Sequence, residues 1–200
     1  AKGQSVEDGK VKGIPTPEFV QQSHASSIGR LNYSFKNKYF LTSNFRADGS
    51  GQFSSKHKWG YFPSFSAGWR ISEEDFFKGV SGINELKLRA GWGLVGNDRA
   101  RGYAWFGLVD TMSRYLLAGT TQTAFIPRTL ENSDLKWEKT SQIDIGIDLS
   151  VLNNRLTFVA DYYYKKTEDL LLEVPQPTST GYSTALQNAG SLLNKGFEFQ

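Results

Sequence analysis

The sequence predicts an all-β fold, an antiparallel transmembrane β-barrel segment of about seven strands that belongs to a larger barrel. Three observations predict it. Seven stretches alternate apolar and polar residues with a period of two. The connections between them alternate short and long. The stretches also run to roughly 10 residues, the length a tilted strand needs to cross a bilayer. Successive side chains of a strand point to opposite faces, so a period of two writes one lipid-facing and one lumen-facing surface.

Residues 1–22 contain Gly, Pro and Ser without a clear period and read as a loop or the end of an upstream element; residues 23–200 read as the partial barrel domain. The first strand covers about Ser26–Phe35, with Leu31, Tyr33 and Phe35 outward and Arg30, Asn32 and Ser34 inward. Lys36-Asn37-Lys38 is a tight turn. The second strand, about Tyr39–Asp48, points Tyr39, Leu41, Phe45 and Ala47 outward and Thr42, Asn44, Arg46 and Asp48 inward. A polar Gly/Ser-rich loop, Asp48–Gly60, leads to the third strand at about Tyr61–Ile71. There Phe65, Ala67 and Trp69 share one face and Ser64, Ser66, Gly68 and Arg70 the other. In the connector Ser72–Glu85, Ser72-Glu73-Glu74-Asp75 suits the start of one short helical turn.

The fourth strand, about Glu85–Val95, places Leu86, Leu88, Ala90, Trp92 and Leu94 outward and Lys87, Arg89, Gly91 and Gly93 inward. Gly96–Lys139 is the longest irregular stretch, with a small hairpin expected between Tyr103–Val109 and Arg114–Leu117. The fifth strand, Gln142–Leu149, has the clearest alternation of the chain. Asn153-Asn154 then suits a two-residue turn, because Asn tolerates positive φ. That turn sets Ile147 opposite Ala160 and Ile145 opposite Tyr162 on the sixth strand, about Arg155–Lys166. After a long loop, Glu168–Leu193, the seventh strand begins near Asn194.

Short connections follow the first, third and fifth strands and long ones the second, fourth and sixth, as in barrels with short periplasmic turns and long extracellular loops. Seven strands with an open edge cannot stand in lipid, since an even number from eight upward closes a bacterial barrel. The alternation also continues into Phe197-Glu198-Phe199-Gln200, and the chain reads as an internal fragment. Aromatic residues make up 14% of it and there are 20 glycines, which suits a β-rich protein with many turns. No apolar run approaches a transmembrane helix. The absence of Cys excludes a disulfide scaffold, a thiolate metal site and a Cys nucleophile. A net charge of +3, spread along the chain, gives poor support for nucleic-acid binding.

No motif carries covalent chemistry. Gly91-Trp92-Gly93-Leu94-Val95-Gly96 fits the dinucleotide fingerprint, but a polar loop follows where a helix is required. His24 and His57 lie far apart, without the convergence a metal site or triad needs. Asp48-Gly49-Ser50-Gly51 lacks the later ligands of a calcium loop. The sequon Asn32-Tyr33-Ser34 falls inside a strand. Asp144, Asp148 and Asp161 share the inward face of one hairpin, with Asp161 opposite Gly146; the first two stand about 13 Å apart at ~3.3 Å per residue, too far for a glycosidase pair. They read as a solvated lumen wall balanced by Arg and Lys of other strands. The lumen-facing candidates for substrate contact are Arg46, Arg70, Arg89, Asp144, Asp148 and Asp161; neither catalytic residues, nor a metal site, nor a cofactor is expected. Tyr33, Tyr39, Trp69, Trp92, Tyr162 and Tyr164 are outward and suit interface girdles. The alternative of another class is a soluble carbohydrate-binding β-sandwich with an aromatic core.

Particular residues carry a resemblance. Phe45-Arg46-Ala47-Asp48-Gly49-Ser50, followed by the run Trp59–Arg70, resembles the SusC/RagA family of TonB-linked outer-membrane transporters. So do Leu86–Gly93 with Gly96-Asn97, Asn132–Glu138, Asp161–Thr167 and Asn194-Lys195-Gly196-Phe197-Glu198, in the family's order. The resemblance runs from about Gly29 to Gln200. It implies a 22-stranded barrel plugged by an N-terminal domain, importing oligosaccharides or peptides with energy delivered through TonB. It also implies a SusD-like surface lipoprotein as partner and an outer-membrane location in contact with lipid. The TonB-contacting region would lie N-terminal to this segment. No substrate-binding residue transfers from these wall and turn motifs.

Overall fold

A computed structural model describes residues 6–7, 10–11, 22–100, 105–127 and 129–200. Two short strands, β1 (Val6–Glu7) and β2 (Lys10–Val11), pair with each other. The wall follows as β3 (His24–Phe35), β4 (Tyr39–Ser50), β5 (Trp59–Arg70) and β6 (Ile83–Asn97). A hairpin, β7 (Val109–Leu117) with β8 (Thr120–Pro127), interrupts it. The wall resumes with β9 (Glu138–Val151) and β10 (Leu156–Glu168). A second hairpin, β11 (Leu171–Pro175) with β12 (Thr184–Asn188), precedes β13 (Ser191–Phe199). The wall is one seven-stranded antiparallel sheet in the order β13-β10-β9-β6-β5-β4-β3.

The register puts the expected faces where the period of two places them, except at the long-loop end of β6: Leu94, expected outward, packs on the buried cluster around Phe62, where β5 and β6 have parted. Leu41 pairs with Ala67, Ala67 with Ala90, Ala90 with Ile145, Ile145 with Tyr162 and Tyr162 with Phe197, one outward row across the wall. Its large members stand uncovered: Ile145 is 53% exposed and Phe197 70%. A soluble sandwich would lay a second sheet on this face; among the described residues there is none. Asp161 lies opposite Gly146 and Ile147 opposite Ala160, as the Asn153-Asn154 turn predicts. Leu152, Asn153 and Asn154 all take positive φ in that turn.

Three further expectations change. First, Arg114–Leu117 does lie in a strand, but its partner is β8 and not the stretch from Tyr103 to Val109; residues 103 and 104 lie outside the described residues. The cause is Ala118-Gly119, whose φ values of 49° and 77° supply the two left-handed positions of a tight hairpin turn. Second, the connector 71–82 is longer than the loop 51–58, so the alternation of short and long connections fails there. Third, Ile71 is not a strand residue but opens a short 3-10 helix, Ile71–Glu73, followed by turns.

The buried core sits at the long-loop rim. Beside Pro63, which has no N–H to donate, the β5–β6 ladder stops at Ser64–Gly93, while β4–β5 pairing continues to Gly49–Trp59. The two strands part, and Phe62 fills the opening; a Cβ at Gly60 or Gly96 would collide with its ring. Phe53, Ala100, Leu135 and Trp137 close over Phe62, with Trp137 packed against both Phe53 and Phe62 at 5.3 and 5.4 Å between ring centroids.

Candidate functional site

The lumen-facing wall carries the sequence-predicted residues, and the fold sorts them into separate groups. Arg89 on β6 meets Asp148 on β9 through a fork: Nε donates to Oδ1 and Oδ2 at 3.0 and 2.9 Å, and Nη2 to Oδ1 at 2.8 Å. The same Nη2 reaches Asp161 on β10 at 3.1 Å. A bidentate guanidinium–carboxylate pair fixes direction as well as charge. Gly146 makes room for it, since a Cβ there would run into the Asp161 carboxylate and crowd Arg89. Asp144, one pleat along, accepts a hydrogen bond from Gln142 at 2.9 Å and has no arginine partner among the described contacts. Arg89, Asp144 and Asp161 border a hollow of about 260 Å³ with Phe40, Thr42 and Lys87.

Arg46 lies nearer the long-loop rim, forked onto Asp48 at 2.8 and 2.6 Å. It borders a larger hollow of about 540 Å³ whose wall combines Arg30, Asn44 and Asp48 with Phe62 and Trp137. His24 enters here and pairs with Asp98 at 2.7 Å. His57 lines a different, polar hollow of about 600 Å³ with Glu131, Asn132, Lys136 and Asn188, so the two histidines do not meet. Among the described residues no group of His, Asp and Glu could hold a metal ion. Arg70 sits at the opposite rim, 3.4 Å from Glu85 and with its guanidinium 5.4 Å from the Phe40 ring centre. Asn32 of the sequon is a wall residue, accepting a hydrogen bond from Thr42 at 3.0 Å. The expected balance of acids by basic residues of other strands holds at Asp148 and Asp161.

Two features escaped sequence reasoning. One is the stitching of the long loops. The Asn188 amide accepts from Lys136 N at 2.9 Å and donates to Lys136 O and Asp169 O at 2.8 and 2.9 Å. Asn132 donates to Leu186 O at 3.0 Å, and Ser54 to Ser133 O at 2.6 Å. Leu171 and Leu186 pack on the buried aromatic cluster. Connections 51–58, 98–137 and 169–190 are thus joined over the inner face. The other is Glu74, which accepts from Lys38 Nζ at 2.9 Å, Tyr39 Oη at 2.5 Å and Trp69 Nε1 at 3.1 Å. These donors favour the carboxylate and pull Glu74 down to about 2. Lys38 rises in return, held charged by Glu74. The outward pair Tyr39 and Trp69 marked a girdle in the sequence; nothing local marked Glu74 as its anchor.

Among the described residues the wall has one apolar and one polar face, with stitched loops over the polar face at one rim. The family model described as TonB dependent receptor-like, beta-barrel, matches residues 8–200. TonB-dependent receptor P26 of Formosa agariphila is 43% identical over 188 residues, covering 94% of this chain and 19% of that protein. TonB-dependent receptor SusC of Bacteroides thetaiotaomicron is 41% identical over 179 residues, covering 87% of this chain and 18% of that protein. The solved structure of the RagAB peptide importer in the open-open state superposes with a TM-score of 0.83 at 28% identity, over 96% of this chain and 21% of that one. The chain spans about a fifth of the length of these curated relatives.

Proposed function

Since the chain belongs to the TonB-dependent receptor β-barrel family, whose SusC- and RagA-type members are outer-membrane transporters and not enzymes, we propose that it builds part of the wall of a TonB-linked importer of oligosaccharides or peptides. The observation that carries this reading is the two-faced sheet. Its outward rows are apolar and uncovered, as a lipid boundary requires, and its inward rows are charged and amide-bearing. The inner wall then faces the plug and the passing solute. Arg46, Arg70, Arg89, Asp144, Asp148 and Asp161 are its charged lining, and the hollow beside Arg46 is the place for a solute that has both polar and flat apolar surfaces.

The turns at 36–38 and 152–155 face the periplasm, and the stitched connections 51–58, 98–137 and 169–190 face outside, where they meet substrate and a SusD-like lipoprotein. TonB engages a region N-terminal to this segment. The test is uptake of labelled oligosaccharides and peptides by cells with and without the full-length gene. Uptake that needs the gene and stops when the proton gradient is collapsed supports the importer; uptake indifferent to both overturns it. Labelling of intact cells at Asn153-Asn154, with the three connections protected, would reverse the orientation.

A further inference from the structure

On β9 the outward residues Ile143, Ile145, Ile147, Leu149 and Val151 form a column about 26 Å long at ~3.3 Å per residue. With the usual barrel tilt that column fills most of an apolar band ≈ 25 Å tall. At its long-loop end the outward positions turn cationic on three adjacent strands. Lys139 follows Ser141 on β9, Lys166 follows Tyr164 on β10, and Lys195 follows Phe197 on β13. The register aligns them: Lys166 pairs with Ser141 and Leu193, so Lys139 and Lys195 are its diagonal neighbours on either side, roughly 7–8 Å away. Glu168, opposite Lys139 and 2.5 Å from Lys166, is the one carboxylate among them. The group therefore keeps an excess of two positive charges. Across the same rim on β3, β4 and β5, the outward positions are Ala25, Ser27, Phe45, Ala47, Trp59 and Tyr61, with no charge.

We propose that Lys139, Lys166 and Lys195 form a site for the phosphate-bearing headgroup of a membrane lipid, with its acyl chains lying on Ile143, Tyr162, Tyr164 and Phe197. The site rests on the barrel reading, and charge complementarity selects the occupant. Lysines at the end of an apolar band hold their ammonium groups at headgroup depth while their stems stay on the apolar surface. A phosphate supplies the anion that a lone Glu168 leaves unmet. The groove on the neighbouring strands, floored by Ala67 and Ala90 between the stacked pair Phe65–Trp92 and Leu41, continues this apolar face.

The experiment uses the full-length protein in zwitterionic micelles, with phosphatidic acid and phosphatidylcholine as competing probes and native mass spectrometry as readout. Slower migration after boiling in gel electrophoresis first establishes that a closed barrel is present; its absence would overturn the barrel reading on which the site depends. In a closed barrel, phosphatidic acid is retained over phosphatidylcholine, and retention falls with salt. Lys166→Gln weakens retention roughly fivefold, the triple Lys139→Gln, Lys166→Gln, Lys195→Gln abolishes the preference, and the lumen-side Lys165→Gln leaves it unchanged. Should the triple variant fail to fold, Lys166→Gln alone decides. Equal retention of both lipids, an unaffected Lys166→Gln variant, or full displacement by inorganic phosphate overturns the proposal.

Discussion

The two rims of the wall are fastened by different chemistry. At the long-loop rim, connections from three parts of the chain bury Phe53, Phe62, Leu135 and Trp137, and asparagine amides satisfy the backbone groups around them. At the short-turn rim almost nothing is buried. There a single carboxylate, Glu74, gathers an ammonium, a phenol and an indole from the turn and the girdle. The difference teaches where stability can reside in such a wall. Among the described residues the sheet between the rims has no second layer on its apolar face and builds no core of its own, so apolar burial is found where loops fold back over the polar face.

The comparison can be broken most sharply at Trp137. Trp137→Ala in the full-length protein should cost about 3–5 kcal/mol by emptying the cluster, seen as a lowered Tm and protease cleavage within 98–137. A Tm unchanged by that substitution would mean the long-loop rim is not held by apolar burial. Between the rims, Ile145→Arg should cost about 2–4 kcal/mol at mid-membrane. Tolerance of it in an inserted barrel would reverse the face assignment of the whole wall. Asn188→Ala leaves Lys136 and Asp169 backbone groups without partners and should cost about 1–3 kcal/mol. Hydrogen exchange should rise in 169–190 and around Lys136 while β9 and β10 keep their protection; a global change instead would show that the loops and the wall unfold together.

The smallest effect belongs to the short-turn rim. The Glu74 carboxyl titrates below its ordinary 4.5, at about 2. Its contribution is therefore in place above about pH 4.5 and is lost as the pH falls toward 2. Exchange of the connector 71–82 should quicken across that window, and Glu74→Gln should remove the pH dependence by leaving the connector in its faster-exchanging state at neutral pH as well. An acid response that survives Glu74→Gln would place the titrating group elsewhere.

What was legible follows from local geometry. Alternation along Gln142–Leu149 identified a strand and its faces, and Asn153-Asn154 set the β9–β10 register down to Ile147–Ala160 and Asp161–Gly146. Arg89, Asp148 and Asp161 were rightly placed on one face, yet their union into one fork depended on β6 lying next to β9, across a 98–137 excursion. Arg46 and Arg70 share the inward face with them yet stand at opposite rims, one beside Asp48 and the other beside Glu85.

The sequence alone determined which residues of the regular strands share the apolar outward face and which the polar inward one, because side-chain direction in a strand is a property of consecutive backbone dihedrals and needs no distant partner; Leu94, where β5 and β6 part, is the exception. Tertiary structure decided what the loops do. The hairpin β7–β8 turns at Ala118-Gly119 inside a stretch with little alternation to announce it. Leu135 and Trp137 become core residues only because β5 and β6 part beside Pro63 and expose Phe62 to them. Burial there is a property of segments tens of residues apart meeting in space, and no periodicity within any one of them records it.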